Sequence, residues 1–195
     1  MFPLYTVAKK EEETKDDTQK NPIDMNTSRT FNDVRANNWF KAAVDYMVSE
    51  GIMSGVGDRD FAPNDNMTRA MVWQVLAKLD GVNTAGGAKW YSKAMDWAVT
   101  HKITNGSNVD GEVTREQLAS MLYRYAKDSG MDVSVKGTLT NFPDAKEANS
   151  YAAEALQWAV GAGLINGMDG KLNPQGNATR AQVATILMNF NKLSK

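Results

Sequence analysis

The sequence predicts an all-α fold built from three helix–loop–helix repeats, and three observations support this prediction. The tetrad Thr-Arg-x-x occurs three times, beginning at Thr68, Thr114 and Thr179. Apolar residues follow each tetrad at the spacing of an amphipathic helix. A glycine-bearing loop and a second amphipathic stretch precede each tetrad. A motif that recurs together with its context indicates a repeat architecture.

The first helix of each repeat is predicted from apolar residues at i, i+3 and i+4. Glycine follows this stretch in repeats one and three, at Gly51 and Gly163, where a left-handed helix cap is expected. Lys102 takes that position in repeat two. The apolar positions are Val44, Met47 and Val48, then Met95, Ala98 and Val99, then Leu156, Ala159 and Val160.

The second helix of each repeat begins at the tetrad, whose threonine is a good N-cap. Gln117 and Gln182 complete a capping box in repeats two and three, and Met71 breaks it in repeat one. The apolar positions continue to i+7: Val72, Val75, Leu76 and Leu79, then Leu118, Met121, Leu122 and Tyr125, then Val183, Ile186, Leu187 and Phe190. Trp73, Trp97 and Trp158 fall inside helices, where we expect them to be packing groups.

The loop before the tetrad differs in length between the repeats. Residues 55–68 and 167–179 form long loops, here called lid loops, which contain Phe61 and Leu172. We expect these two side chains to plug the core. Repeat two shortens the loop to residues 106–114 and lacks this feature. Length changes between repeats are tolerated in surface loops.

Composition limits the domain organisation and the partners. We expect residues 1–30 to be a charged flexible leader and residues 31–195 to be one domain of three repeats, at 31–80, 82–128 and 142–193. The net charge of −1 gives no global attraction to nucleic acid or to anionic membranes. The apolar start, residues 2–8, is too short for a signal peptide or a membrane span. If the protein is exported, we expect its signal to lie outside these residues.

No known catalytic or metal-binding motif is present. The single histidine, His101, is expected on the surface at the end of a first helix, and the absence of cysteine excludes disulfides and thiolate metal sites. The acidic loops at Asp58 and around Gly111 do not fit an EF-hand, because the glycine and the carboxylate ligands cannot both be placed. We therefore expect no catalytic residue, no metal and no cofactor.

The tetrad arginines are the most informative polar residues. Arg69, Arg115 and Arg180 lie at helix N-termini, where free backbone N–H groups and the helix dipole favour an anion. The guanidinium fork matches a carboxylate. Aromatic residues, which suit the apolar face of a sugar, are expected to open the first helices. They are Trp39, Trp90 and Tyr151.

These residues are compatible with two interpretations. In the first, an arginine, helix-end amides and an aromatic ring form a pocket for an acidic sugar. In the second, the arginines pair with Asp33 or Asp144 and lock neighbouring repeats together, while the aromatics belong to the core. Residue chemistry alone leaves both open.

The combination Phe-x-Asp, Trp, Gly-Ile-x-x-Gly, Phe-x-Pro and Thr-Arg-Ala-x resembles the S-layer homology (SLH) domain family over residues 31–193. The resemblance implies a pseudo-threefold spindle around a central helical bundle, with grooves between repeats. It implies an extracellular module of Gram-positive bacteria, a monomeric pseudo-trimer tethered to an upstream cargo domain. It also implies non-covalent anchoring to an anionic secondary cell wall polysaccharide, often ending in pyruvylated N-acetylmannosamine.

The resemblance also implies which residues contact the glycan. The arginine that contacts the carboxylate matches Arg69, Arg115 and Arg180. The groove aspartate matches Asp33 and Asp144, and the aromatic matches Trp39 and Trp90, with Tyr151 in repeat three. The glycine that lets the sugar approach the backbone matches Gly55, Gly106 and Gly167.

Repeat two departs from the family pattern, since it has no Phe-x-Asp and a short loop. We therefore expect three unequal grooves, at least one of them degenerate. One alternative function is a structural module that makes lattice contacts with empty grooves. Another is an enzyme that acts on wall glycan through Asp33 or Asp144.

Overall fold

The computed structural model describes residues 31–57 and 59–193, so the leader predicted at residues 1–30 lies outside the described residues. Within this part of the chain the regular elements are helices. Three short 3₁₀ turns, Leu139–Asn141, Ala145–Glu147 and Ser150–Ala152, precede the fifth α-helix. The α-helices are α1 Lys41–Ser49, α2 Arg69–Leu79, α3 Ser92–Thr100, α4 Arg115–Asp128, α5 Ala153–Gly161 and α6 Arg180–Leu193. The predicted all-α fold class is confirmed.

The helices pack across the repeats in a closed ring. The second helix of each repeat packs against the first helix of the next, so that α2 contacts α3 and α4 contacts α5. The ring closes where α6 of repeat three packs against α1 of repeat one. Each repeat therefore buries its apolar faces against its neighbours. This is the physical reason why three units share one core.

A ring of three backbone hydrogen bonds lies where the repeats meet. Met67 N–H donates to Ala178 C=O (3.0 Å), Ala178 N–H donates to Val113 C=O (2.8 Å), and Val113 N–H donates to Met67 C=O (2.9 Å). All three residues are buried, and each comes from a different repeat, just before its tetrad. Each of these buried N–H groups is thus satisfied by another repeat. The ring gives the fold a pseudo-threefold axis.

The helix ends follow the sequence. Thr68, Thr114 and Thr179 each accept a hydrogen bond from the amide three residues on. The side-chain carbonyls of Gln117 and Gln182 accept one from the N–H of their threonine. Gly51 and Gly163 cap their helices with φ +69°. Lys102 adopts φ +57° at the same place, a conformation that a residue with a side chain seldom adopts.

Both lid loops plug the core as predicted, since Phe61 and Leu172 are fully buried. The carboxylate of an aspartate accepts hydrogen bonds from two backbone amides of each lid loop. Asp33 accepts hydrogen bonds from Phe61 N–H (2.9 Å) and Ala62 N–H (2.7 Å). Asp144 accepts them from Leu172 N–H (2.8 Å) and Asn173 N–H (2.7 Å). Both carboxylates therefore fix the conformation of a lid loop.

The two groups of aromatic residues separate clearly. Trp73, Trp97 and Trp158 are buried, as expected for packing groups. The aromatics near the first helices are exposed and precede the helices by two residues, so the expectation that they open the helices was slightly wrong. Their exposed fractions are 66% for Trp39, 54% for Trp90 and 53% for Tyr151. The interpretation that made them core residues is wrong.

Candidate functional site: three inter-repeat grooves

The predicted arginines, glycine-bearing loops and aromatics meet in three grooves, and each groove is assembled from all three repeats. One repeat supplies the floor, from its glycine-bearing loop and its second helix. The preceding repeat supplies the arginine, and the following repeat supplies the exposed aromatic. We name the grooves A, B and C after the repeat that forms the floor.

Each groove has the same plan. Groove A contains Arg180, the loop at Gly55, α2 and Trp90. Groove B contains Arg69, the loop around residues 104–108, α4 and Tyr151. Groove C contains Arg115, the loop at Gly167, α6 and Trp39. Their cavity volumes are about 110, 490 and 290 Å³ for A, B and C.

Each guanidinium is held by the loop of the following repeat. Arg180 donates from Nε to Phe61 C=O (2.7 Å) and from Nη2 to Ser54 C=O (2.7 Å). Arg115 donates from Nε to Leu172 C=O (3.0 Å), with Nη1 3.8 Å from Met168 Sδ. The arginines do lock neighbouring repeats, as the second interpretation held, but through carbonyl groups.

Arg69 makes the corresponding contacts in groove B. Its Nε donates to Ser107 C=O (2.9 Å), and its Nη2 donates to the Thr104 hydroxyl (2.9 Å). A guanidinium carries five N–H donors, so each of the three arginines keeps N–H groups without a partner among the described residues. Arg69 is half-buried, whereas Arg115 and Arg180 are buried. Groove B thus presents its guanidinium most openly.

The arginine charges are not neutralised by direct ion pairs. Within the described ranges, the contacts closer than 4.0 Å between oppositely charged groups are Lys41 with Asp45 and His101 with Asp128. Pairing of the tetrad arginines with Asp33 or Asp144 is therefore wrong. Loss of water lowers the pKa of all three arginines, yet an arginine retains its charge at neutral pH. Each groove therefore offers a partly desolvated cation that makes no direct ion pair with a described acid, although Asp144 attracts Arg115, and Asp65 and Asp33 attract Arg180, over a longer distance.

The helix-end amides do not reach the grooves, which corrects our expectation from the sequence. In α2, Arg69 N–H donates to Gly111 C=O (2.9 Å) and Ala70 N–H donates to Val109 C=O (3.1 Å). The first two amides of α4 and α6 are bound in the same way, and the threonine cap takes the third. The sequence analysis did not foresee that carbonyl groups in the loop of one repeat accept hydrogen bonds from the first amides of a helix in another repeat. These helix-end amides are therefore not available to an anion in the grooves.

Asp33 and Asp144 do not line the grooves but act on them through one peptide group. In the peptide group between residues 61 and 62, the Ala62 N–H donates to Asp33 while the Phe61 C=O accepts from Arg180. The peptide group between residues 172 and 173 joins Asp144 to Arg115 in the same way. Residual burial raises the pKa of Asp144, but hydrogen bonds from Leu172 and Asn173 outweigh it, so the pKa lies below its usual range. The lid peptide therefore connects a fixed carboxylate to the groove arginine.

The three glycines serve packing to different degrees. A Cβ on Gly55 would stand 2.6 Å from the Phe31 ring, and one on Gly167 would stand 2.7 Å from the Phe142 ring. At Gly106 the nearest atom, a methyl of Val99, is 3.2 Å away. Internal packing alone thus demands glycine in repeats one and three. Gly106 is required chiefly by its φ of +75°.

Groove B differs from the others in its aromatic residue, which is a tyrosine, and in having a second arginine. The Tyr151 hydroxyl donates to Glu116 (2.8 Å), a buried carboxylate that also accepts from Asn149 N–H (2.9 Å) and Asn149 Nδ2 (2.6 Å). Burial and this bond raise the pKa of Tyr151 to about 12. Arg124 also lines the groove and donates to Ile103 C=O (3.1 Å).

The residue that lies ten positions after the tetrad threonine was missed by the sequence analysis. It lines all three grooves, as Lys78 in A, Arg124 in B and Asn189 in C. The available signal was its recurrence just beside the apolar face of each second helix. This position adds a second polar side chain to each groove, beside the tetrad arginine.

Comparison with known proteins identifies the repeats. Residues 30–70 and 141–184 match the model of the S-layer homology domain. Two stretches of the chain are therefore similar to the S-layer homology domain. The matched ranges fall in repeats one and three, and the unmatched repeat between them is the one that departs from the family pattern. Its place in the ring, its tetrad and its groove are nevertheless equivalent to those of the other two.

The chain spans about a fifth or less of the length of the similar proteins named here. The chain is 28% identical to the S-layer protein sap of Bacillus anthracis, over 84% of this chain and 21% of that protein. It is 27% identical to an amylopullulanase of Thermoanaerobacterium thermosulfurigenes, over 82% of this chain and 9% of that enzyme. It is 27% identical to exoglucanase XynX of Acetivibrio thermocellus, over 84% of this chain and 16% of that enzyme.

A solved structure also resembles the chain. It is the undecaheme cytochrome from the S-layer of Carboxydothermus ferrireducens, with a TM-score of 0.43 and 22% identity, over 77% of this chain and 20% of that one. In the part of the chain that the structure describes, no helix is long and apolar enough to cross a membrane. The same residues contain no cluster of three or more potential metal ligands.

Proposed function

We propose that the chain is a non-covalent cell-wall anchoring module whose inter-repeat grooves bind an acidic wall glycan. The expected ligand is a terminal pyruvylated N-acetylmannosamine, whose ketal carboxylate supplies the anion. The module would act outside the cell and hold a larger exported protein on the wall. The SLH family match and the S-layer relatives support the anchoring role.

One observation carries the proposal: every groove combines an exposed aromatic ring with an arginine that makes no direct ion pair with a described acid. Unused guanidinium N–H groups match a carboxylate in geometry and charge. The ring faces offer an apolar surface to the sugar, and more than half of each aromatic residue is accessible. The two parts come from different repeats, so a ligand would also tie the repeats together.

Binding of purified wall polymer, with and without its pyruvyl groups, tests the proposal. The intact polymer should cosediment with the chain, and the depyruvylated polymer should bind at least tenfold more weakly, as for a lost charged hydrogen bond of about 1.5–3 kcal/mol. Arg69→Lys keeps the charge but loses the fork, so it distinguishes carboxylate recognition from simple attraction. Full binding to the depyruvylated polymer would refute the role of the carboxylate.

Groove-selective variants sharpen the test without disturbing the core. Trp39→Ala, Trp90→Ala and Tyr151→Ala each alter one groove at an exposed side chain, and Val135→Ala is a matched control on an exposed residue away from the grooves. Each aromatic variant should weaken binding by the share that its groove contributes. Unchanged binding in the triple aromatic variant, with the circular dichroism of the parent, would contradict binding in the grooves.

The lattice alternative rests on a specific observation. The arginines already bind loop carbonyls, and the helix-end amides are fully used, so the grooves serve stability even when empty. If the chain assembles through protein contacts alone, removal of pyruvyl groups and of the exposed aromatics will not affect its retention on walls. Hydrolysis of glycan by this chain alone would instead support an enzyme.

A further inference from the structure

Groove B continues into a second cavity that the SLH repeat pattern does not predict. This cavity, here called the basic cleft, has a volume of about 490 Å³ and lies between α4 and α5, beside the end of α3. Ser120, Arg124 and Tyr151 line both the cleft and groove B. The two cavities therefore adjoin along one turn of α4 and the edge of Tyr151. Each has the size of a small-molecule site.

The cleft carries more positive than negative groups. Lys102, Arg124 and Lys127 line it, and none of them forms an ion pair with a described acid within 4.0 Å. The acids that line the cleft are Asp128 and Glu154. Asp128 is held by His101, whose Nδ1 lies 2.5 Å from its Oδ2. The cleft therefore attracts anions although the whole chain has a net charge of −1.

The combination of Lys102, Arg124 and Lys127 is found only in repeat two. Lys102 stands where repeats one and three have Gly51 and Gly163, and all three adopt positive φ. Repeat two thus has a lysine in a conformation that glycine adopts without strain. The position of Arg124 holds Lys78 in repeat one and uncharged Asn189 in repeat three. Grooves A and C have no counterpart to the complete set.

We propose that groove B and the basic cleft form one extended site for a glycan segment with two acidic groups. Arg69 would meet the first acidic group in groove B, and Lys102 and Lys127 would meet the second in the cleft. Arg124 lies between them. The ligand class is an acidic oligosaccharide of at least two units, with a carboxylate or a phosphate beyond the terminal sugar. This inference rests on the proposed function of groove B and extends it.

The physical basis is that each cation adds favourable energy only where an anion reaches it. A monosaccharide with one carboxylate can occupy groove B without entering the cleft. A longer acidic segment passes the edge of Tyr151, whose hydroxyl is fixed by Glu116. Because the cleft cations are exposed, their attraction should be strongly reduced by salt. Size and salt dependence therefore distinguish the two parts of the site.

The test uses the full chain with Trp39→Ala and Trp90→Ala, so that groove B dominates binding. Two probes are titrated calorimetrically: synthetic pyruvylated N-acetylmannosamine, and a disaccharide that carries this unit and a second acidic group. Lys102→Gly and Lys127→Gln are then introduced together. Glycine is the residue of the other repeats at the first position, so the fold should be preserved. Lys192→Gln with Lys146→Gln is the control, since it removes the same charge from exposed lysines outside the cleft.

The lysine variant should bind the monosaccharide as the background does, and it should bind the diacidic disaccharide about tenfold more weakly at low salt, as for two exposed ionic contacts. The control pair should bind both probes like the background. Versions of the disaccharide with a carboxylate and with a phosphate identify the second anion. Equal binding of the disaccharide by variant and background would overturn the extended site. No binding of the monosaccharide, by contrast, would refute the proposed function of groove B itself.

Discussion

Groove B and groove C follow one plan but treat their arginines differently. In groove C the lid loop buries Arg115, and Asp144 fixes the peptide that accepts its Nε–H. In groove B the loop is short, no aspartate fixes it, and Arg69 remains half-buried in a wider cavity. The lid therefore provides stability at the expense of access. A groove that departs from its family pattern can still be the most open to a ligand.

The largest difference in stability should appear between removing a core-filling side chain from a lid loop and removing a side chain from the short loop of repeat two. Phe61→Ala removes a fully buried ring from a lid loop and should lower the free energy of unfolding by about 3–5 kcal/mol. Val109→Ala in the short loop removes a half-buried side chain and should cost less than about 1.5 kcal/mol. Urea unfolding followed by tryptophan fluorescence measures both. Equal costs would show that the lids do not plug the core.

The next largest difference in stability should appear between alanine substitutions of the arginines of grooves A and B. Arg180→Ala leaves the carbonyls of Phe61 and Ser54 without their donor in a buried site, which should cost about 2–5 kcal/mol of stability. Arg69→Ala leaves the exposed Ser107 carbonyl, which water can satisfy, and the Thr104 hydroxyl, which still accepts from Gly106 N–H, and should cost about 1 kcal/mol or less. Calorimetric melting compares the two variants. If Arg69→Ala destabilises the fold as much, the openness of groove B is wrong.

The smallest effect concerns acid stability. The pKa of Asp144 is lower in the folded chain than in the unfolded chain. Its contribution to stability is therefore present above the unfolded value of about 3.9 and is lost as the pH falls through the lower folded value. Asp144→Asn should melt earlier than the parent at pH 6, and the gap should narrow below about pH 4. Asp110→Asn, in the exposed short loop, should melt like the parent at both pH values.

Much of the fold could be predicted from local patterns, since capped helices and their apolar faces depend on neighbours in sequence. The tetrad, the glycine caps and the lid side chains Phe61 and Leu172 all lie where their patterns placed them. The closed pairing of α6 with α1 could not be derived from residue spacing, because it joins the two ends of the described chain. It entered only through the resemblance to a known family.

The site was harder to predict for the same reason. The arginine, the glycine and the aromatic of one groove come from three different repeats, so their order along the chain does not show which of them meet. The use of the helix-end amides by loop carbonyls, at Gly111 for example, depends on that same closure. Glu116, which fixes Tyr151, has alanine at the equivalent positions of repeats one and three and follows no repeated pattern.

The central claim is that unused guanidinium N–H groups in the grooves hold the carboxylate of a wall sugar. Nuclear magnetic resonance of the arginine Nε–H groups and the tryptophan indoles tests it directly, during titration with pyruvylated N-acetylmannosamine. The account predicts saturable shifts for Arg69 and for the indoles of Trp39 and Trp90, and none with N-acetylmannosamine lacking the pyruvyl group. Unmoved arginine signals, or equal shifts with the neutral sugar, would contradict it.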